Sequence, residues 1–242
     1  MRLPIAVLAA ALACGPALAQ SDIEVIERGV VVPSLRLGID IAGQATTLGP
    51  AVPHTGHGIE IGVSGASAED DQELDPGERV VFGGRVFTAP GTLRHSADFR
   101  FLEVAYRYRR FFGASGAFGI EALGGLGHAE LELTTTSPLQ SSSDTISSGG
   151  LVGAFGIVWK FLPATSLQSR ITLFGSGDRE GVTGAVRLDV HVAHALARHV
   201  ALRAGLVSWG VVSQRADDDN NSLNSRVVAG FSGLSLGLDV AF

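Results

Sequence analysis

Three ionisable residues spaced two apart, Arg187, Asp189 and His191, would share one face of an extended strand, and Arg203 follows on the next strand-like segment. Asp239 near the C-terminus and Glu121 in mid-chain add acids at positions that alternate with aliphatic or small neighbours. Opposite charges brought together on adjacent strands form an ion-pair network, and enclosure makes such a network structurally demanding. The chemistry these residues offer is charge neutralisation inside a narrow enclosure; transport and catalysis are the alternatives. His128 with Glu130, and His191 with Asp189, could each pair a base with an acid, and Ser208 or Ser232 could serve as a nucleophile. No motif fixes a hydroxyl beside a base, so the chain reads as a non-enzyme. His54 and His57 lack a zinc-type spacing partner and are expected on a connection. The runs Glu69-Asp70-Asp71-Gln72-Glu73 and Asp217-Asp218-Asp219-Asn220-Asn221 are acidic enough for a divalent cation. They lack the calcium-loop pattern and are expected to be solvated loops. No helix follows Gly124-Gly125 or Gly149-Gly150, so neither reads as a phosphate cradle. No metal and no cofactor is expected.

The elements that must carry these residues announce themselves by a period of two. In Leu35-Arg36-Leu37-Gly38-Ile39-Asp40-Ile41 every odd residue is aliphatic and every even one is charged or tiny. One face of such a strand meets an apolar medium and the other does not. The pattern returns around Ile59-Glu60-Ile61, Leu102 to Arg109, Val186 to Val192, Val200 to Leu206 and finally Leu234 to Phe242. Its non-aliphatic face mixes glycine, alanine and serine with a few opposite charges. That composition suits the tight interior of a small membrane barrel, whose aliphatic exterior faces lipid.

The expected fold is therefore all-β, a closed antiparallel up-and-down transmembrane barrel of about 10 strands, with 8 as the alternative. Short turns are expected at 110–115, 162–166 and 194–199, and long polar loops at 134–148 and 213–225. Keeping short and long connections in alternation, with both chain ends on one side, requires 78–88 and 167–175 to be strands of the barrel. In 116–133 the residues Phe118, Ile120 and Ala122 share one parity and Leu131 and Leu133 the other, which predicts a β-bulge near Gly124-Gly125. Tyr106, Tyr108, Trp159 and Phe161 fall near strand ends, as an interfacial aromatic girdle would.

The N-terminus reads as an export signal. Met1-Arg2 is a short basic start, Leu3 to Ala13 a short apolar core, and Ala17-Leu18-Ala19 a small-x-small cleavage site. The chain divides into a cleavable leader at 1–19 and one barrel domain at 20–242. The only cysteine, Cys14, falls inside the leader, so disulfides and thiolate metal sites are not expected in the mature protein. A formal net charge of −6 with no basic cluster argues against nucleic acid as a partner. The mean hydropathy is positive and glycines number 32, yet no apolar run approaches the ~18 residues of a membrane helix.

The leader, the alternation and the closing Leu234, Leu236, Leu238, Val240 and Phe242 together resemble the small outer-membrane β-barrel proteins of Gram-negative bacteria. In that superfamily a terminal aromatic preceded by apolar residues at every second position is read by the barrel assembly machinery. The resemblance implies residence in the outer membrane and contact with its lipid and lipopolysaccharide, with a structural or surface-interaction role. It leaves open a small-solute pore and a lipid A-modifying or proteolytic enzyme, because the superfamily shares no single activity.

Overall fold

The computed structural model describes residues 22–42, 55–82, 85–88, 90–113, 116–177, 181–197, 199–215 and 226–241; these are strands and turns, with no helix. The expected leader with Cys14, His54, the acidic run at 217–221 and the terminal Phe242 lie outside the described residues. The strands are β1 (Asp22–Ala42), β2 (Thr55–Leu74), β3 (Arg79–Phe82), β4 (Arg85–Thr88), β5 (Gly91–Phe112) and β6 (Phe118–Thr136). They continue with β7 (Ser141–Leu162), β8 (Thr165–Gly177), β9 (Gly181–Ala197), β10 (Val200–Arg215) and β11 (Arg226–Ala241). Nine of them join in a ring in the order β1-β11-β10-β9-β8-β7-β6-β5-β2, and all neighbours run antiparallel except β1 and β11, which are parallel.

Nine replaces the expected ten, because the segment at 78–88 does not enter the ring. It folds as its own hairpin, β3 on β4. Phe82 and Phe87 of that hairpin are buried in the apolar cluster that fills one half of the ring, and Gln140 Nε2 donates to the Val86 carbonyl at 2.7 Å. An odd number of strands also overturns the expectation that both chain ends share a side. With β1 parallel to β11, the start of β1 lies at one rim and the end of β11 at the other. The short connections 113–117, 163–164 and 198–199 define the turn rim, where β11 ends; the opposite rim, where β1 starts, is the loop rim.

Several segments expected to be loops are strands. The run 134–148 is the end of β6, a four-residue turn and the start of β7. Threonine is β-branched and suits a strand, and the less suited serines pair with it across the ladder, Thr134 with Ser143 at 3.2 Å and Thr136 with Ser141 at 3.1 Å. The acidic residues Glu69 to Glu73 lie within β2, and His57 is also on β2 and not on a connection. The 167–175 segment is a ring strand, within β8.

The bulge expected at Gly124-Gly125 does not form. The ladders from β6 to β5 and to β7 run through these glycines without a register shift. One facing satisfies both halves because the interior changes composition along its axis: Glu121 points inward near the turn rim, whereas Ala129, Leu131 and Leu133 point inward near the loop rim. The outer face changes in the opposite sense, from Phe118 and Leu126 to His128, Glu130 and Glu132. Glycine has a different use here. A Cβ on Gly125 would stand 2.1 Å from the Val104 carbonyl oxygen, and one on Gly205 2.2 Å from that of Val190, so sharp bending of the wall needs glycine at these corners.

Near the loop rim the interior is closed by an aromatic layer. Trp209 meets Phe99 and Phe101 edge-on, with ring centroids 4.9 and 5.1 Å away, Phe231 stacks on Phe99 at 5.8 Å, and Phe174 meets Phe101 at 5.5 Å. Val207, Val211, Val32 and Val152 surround them. The outer face beside the turn-rim half carries exposed Leu35, Ile39, Leu102, Val104, Leu151, Phe155, Ile157, Leu206, Leu234, Leu236 and Leu238. The apolar surface of this chain is thus divided between an inner layer at one level and an outer belt at another.

Candidate functional site

Inward positions of consecutive strands form the site, because period-two side chains at matched register meet across the ladder and a narrow ring lets them meet across the interior as well. Glu60 of β2, one of the most deeply buried side chains at 1% exposure, is its hub. Arg107 Nη1 donates to Glu60 Oε2 at 2.7 Å, Arg170 donates to both Glu60 oxygens, and Arg36 Nε lies 3.7 Å from Oε1. Arg170 also reaches Glu121 Oε1 through Nε at 2.7 Å, and Glu121 accepts from Arg109 on the adjacent strand. On the other side of the hub, Arg36 Nη2 donates to Asp189 Oδ2 at 3.3 Å. Arg187 lies against the same Asp189 at 2.8 Å and donates to Glu103 at 3.0 Å. Five arginines and four carboxylates therefore form one connected chain of contacts, and Arg187 is stacked 5.0 Å from the Trp209 ring centre, which joins that chain to the aromatic layer.

Of the residues singled out in the sequence, Arg187, Asp189 and Glu121 lie in this chain of contacts. His191 is buried beside it but pairs with Gln168, Nε2 to Oε1 at 3.2 Å, and Gln168 in turn donates to Ser166. Arg203 and Asp239 form a looser pair at 3.8 Å, with Arg203 Nη2 donating to Ser34 Oγ at 2.6 Å. The network's centre was missed: Arg36, Glu60, Glu103, Arg107 and Arg109 alternate with aliphatic residues in the same way, and Arg170 lies on β8, whose short outward aliphatic run left a weaker pattern.

The other named residues sit elsewhere. Tyr106, Trp159 and Phe161 are exposed near the turn rim, with Tyr108 half-buried beside them. Trp159 and Phe161 lie 5.7 Å apart, and His57 contacts the Tyr106 hydroxyl and the edge of the Tyr108 ring. Leu234, Leu236 and Leu238 face outward along β11, and Val240 is half-buried. His128 has Ser147 Oγ at 3.2 Å, but Glu130 turns to Arg100 at 3.4 Å, so no acid orients that imidazole. Ser208 and Ser232 stand opposite one another on β10 and β11. Among the described residues, no group of three His, Cys, Asp or Glu is placed to hold a metal ion.

No family model, curated protein or solved structure matches the chain. What the network can do chemically follows from its own composition. It holds arginines and carboxylates, with each carboxylate in contact with at least one guanidinium and an amide-paired histidine beside them, which is an arrangement for locking strands together.

One titratable group sits beyond the outer apolar belt. His95 of β5 is buried, with Nδ1 2.9 Å from Thr135 Oγ1 and Nε2 3.1 Å from Gln72 Oε1. Burial holds this imidazole below its usual range, against the pull of Asp70 and Asp71. The neutral form belongs to the fold and the unfolded chain takes up a proton near pH 6.5, so His95 stability is complete above that pH and is lost as pH falls toward the depressed folded value. The protection of residues 91–97, taken relative to the intrinsic amide exchange rate at each pH, should therefore fall between pH 7.5 and 5.5. In His95→Gln that fall should vanish; an unchanged pH profile in the variant would assign it to another group.

Proposed function

We propose that this chain is a closed transmembrane β-barrel of the outer membrane, with its interior filled by side chains and a structural or surface-contact role. The observation that carries the proposal is the inversion of sidedness: arginines and carboxylates are enclosed while Leu151, Phe155, Ile157, Trp159 and Phe161, with Gly153 among them on the same parity of one strand, are exposed. In water such a continuous apolar belt would be a liability, whereas in lipid it is the required exterior. Residues 151–161 make a stretch of 11, which at ~3.3 Å per residue and a tilt near 45° spans about 25 Å, the height of a bilayer's apolar band. The aromatic residues at the turn rim suit the headgroup boundary, and pairing of the nine strands in a ring suits a medium with no water for an open sheet edge.

The export leader supports delivery across the inner membrane, and the outward Leu234, Leu236 and Leu238 support recognition by the barrel assembly machinery. Two stacked obstructions, the ion network and the aromatic layer, support a filled barrel over a pore. In planar bilayers the purified protein should give no steady ohmic channels. Reproducible single-channel steps in the wild-type protein would overturn the filled-interior reading while leaving membrane residence intact.

A further inference from the structure

Where the ion network meets the aromatic layer, the interior holds a small cavity, with Trp209 and Val207 on its apolar side and Ser34, Ser64 and Ser235 on its polar side. The serines come from three neighbouring strands. Ser34 of β1 stands opposite Ser64 of β2, and Ser235 of β11 stands opposite Val32, two residues before Ser34. Ser34 is engaged, since Arg203 Nη2 donates to its Oγ at 2.6 Å. Ser64 Oγ is buried and has no hydrogen-bond partner among the described residues. A hydroxyl shut away from solvent without a partner carries the whole cost of its lost hydration, and native interiors rarely leave one so.

Three properties of the cavity select an occupant. Its room for the centre of a water molecule is about 10 Å³, at the lower end of the ~10–15 Å³ that one water takes and too little for a larger solute. The charges on its border are already matched: Arg187 meets Glu103 at 3.0 Å and Asp189 at 2.8 Å, and Asp189 also meets Arg36 at 3.3 Å. An ion would therefore enter as an uncompensated buried charge, and a neutral molecule would not. Finally, an acceptor lies close to Ser64. Glu103 packs over Gly62, where a Cβ would stand 2.7 Å from Glu103 Oε1, and Gly62 and Ser64 share the inner face of β2.

We propose that this cavity is a binding site for one ordered water, which bridges Ser64 Oγ to the Glu103 carboxylate. The Ser64 hydroxyl donates to the water, and the water donates to Glu103, which also accepts from Arg187 Nη2. The bridge ties β2 to β5 through their interior faces, beside the rungs of their ladder. With the ion network on its turn-rim side and the aromatic layer on its loop-rim side, it is a single structural molecule and not part of a file of water through the ring. It belongs to the fold whether the ring is surrounded by lipid or detergent.

The test uses the full chain in non-ionic detergent, with Ser64→Ala and Ser64→Val beside it. A water held by Ser64 loses a partner in Ser64→Ala, which should lower the folded-to-unfolded ratio from urea titration roughly fivefold. An empty cavity gives the opposite sign, because alanine then only removes an orphan hydroxyl. A Ser64→Ala protein as stable as the wild type, or more stable, would overturn the proposal. Oxygen-17 relaxation dispersion of the solvent supplies a second readout, since it counts long-lived waters and does not see hydroxyl protons. Its amplitude should fall by one water in Ser64→Val, whose methyl groups take the space, and subtraction from the wild type cancels detergent and surface hydration. An unchanged amplitude in a Ser64→Val protein that keeps its folded gel mobility would also overturn the proposal; if valine prevents folding, the sign of the alanine effect decides alone.

Discussion

Glu60→Ala should abolish the folded form that migrates differently before and after heating. The carboxylate touches Arg36, Arg107 and Arg170, all buried, and its removal strips Arg107 of its carboxylate while leaving it beside two further cations, Arg36 and Arg170, which keep Asp189 and Glu121. Breaking a single buried pair by removing one partner costs about 3–5 kcal/mol, and whole domains have only about 5–15 kcal/mol to lose. Glu60→Gln keeps the shape and two hydrogen-bonding atoms and should be intermediate, with a lowered urea midpoint but a folded band. Glu130→Ala is the matched control: its partner Arg100 is largely exposed, and exposed pairs contribute about 0–1 kcal/mol. Refolding into detergent, followed by unheated gel mobility and urea titration, separates the three. A Glu60→Ala protein as stable as Glu130→Ala would mean that the interior charges do not hold the ring together.

Phe155→Arg should be the most damaging single change on the outer face. Phe155 is 51% exposed in the middle of the apolar stretch of β7, and an arginine at the centre of a bilayer costs a barrel about 2–4 kcal/mol. Thr145, on the same strand and the same face but nearer the loop rim, should accept arginine with little effect. In water the ranking would invert, because replacing an exposed phenylalanine with arginine on a soluble surface is harmless or helpful. Urea unfolding of both variants in lipid vesicles checks this; a Phe155→Arg variant that refolds as well as Thr145→Arg would count against a lipid-facing belt.

Much of this was legible in the chain because alternation is local. Leu35 to Ile41, Leu102 to Arg109 and Leu234 to Val240 needed only their own residues to be read as strands with one aliphatic face. Strand number was not legible, because only the alternation of short and long connections assigns 78–88 to the ring, and long-range pairing decides that it turns back on itself as β3 and β4. The supposed bulge failed for a related reason. A change of parity along 116–133 looks like a change of facing, yet the medium on each side of the wall changes instead, with Leu131 and Leu133 buried against the aromatic layer. The charge network was half visible. Arg187, Asp189 and Glu121 stood out by spacing, but the hub role of Glu60 depends on three arginines from β1, β5 and β8, and no spacing rule brings those together. The parallel closure of β1 on β11 has no local signature at all.

An aliphatic face that looks outward into a membrane is tested by fractionating cells that produce the full chain and comparing gel mobility of the membrane fraction with and without heating. The protein should resist extraction by urea and carbonate, co-sediment with outer membrane, and shift in mobility only after heating. Recovery as a soluble periplasmic protein with no heat-dependent shift would contradict it.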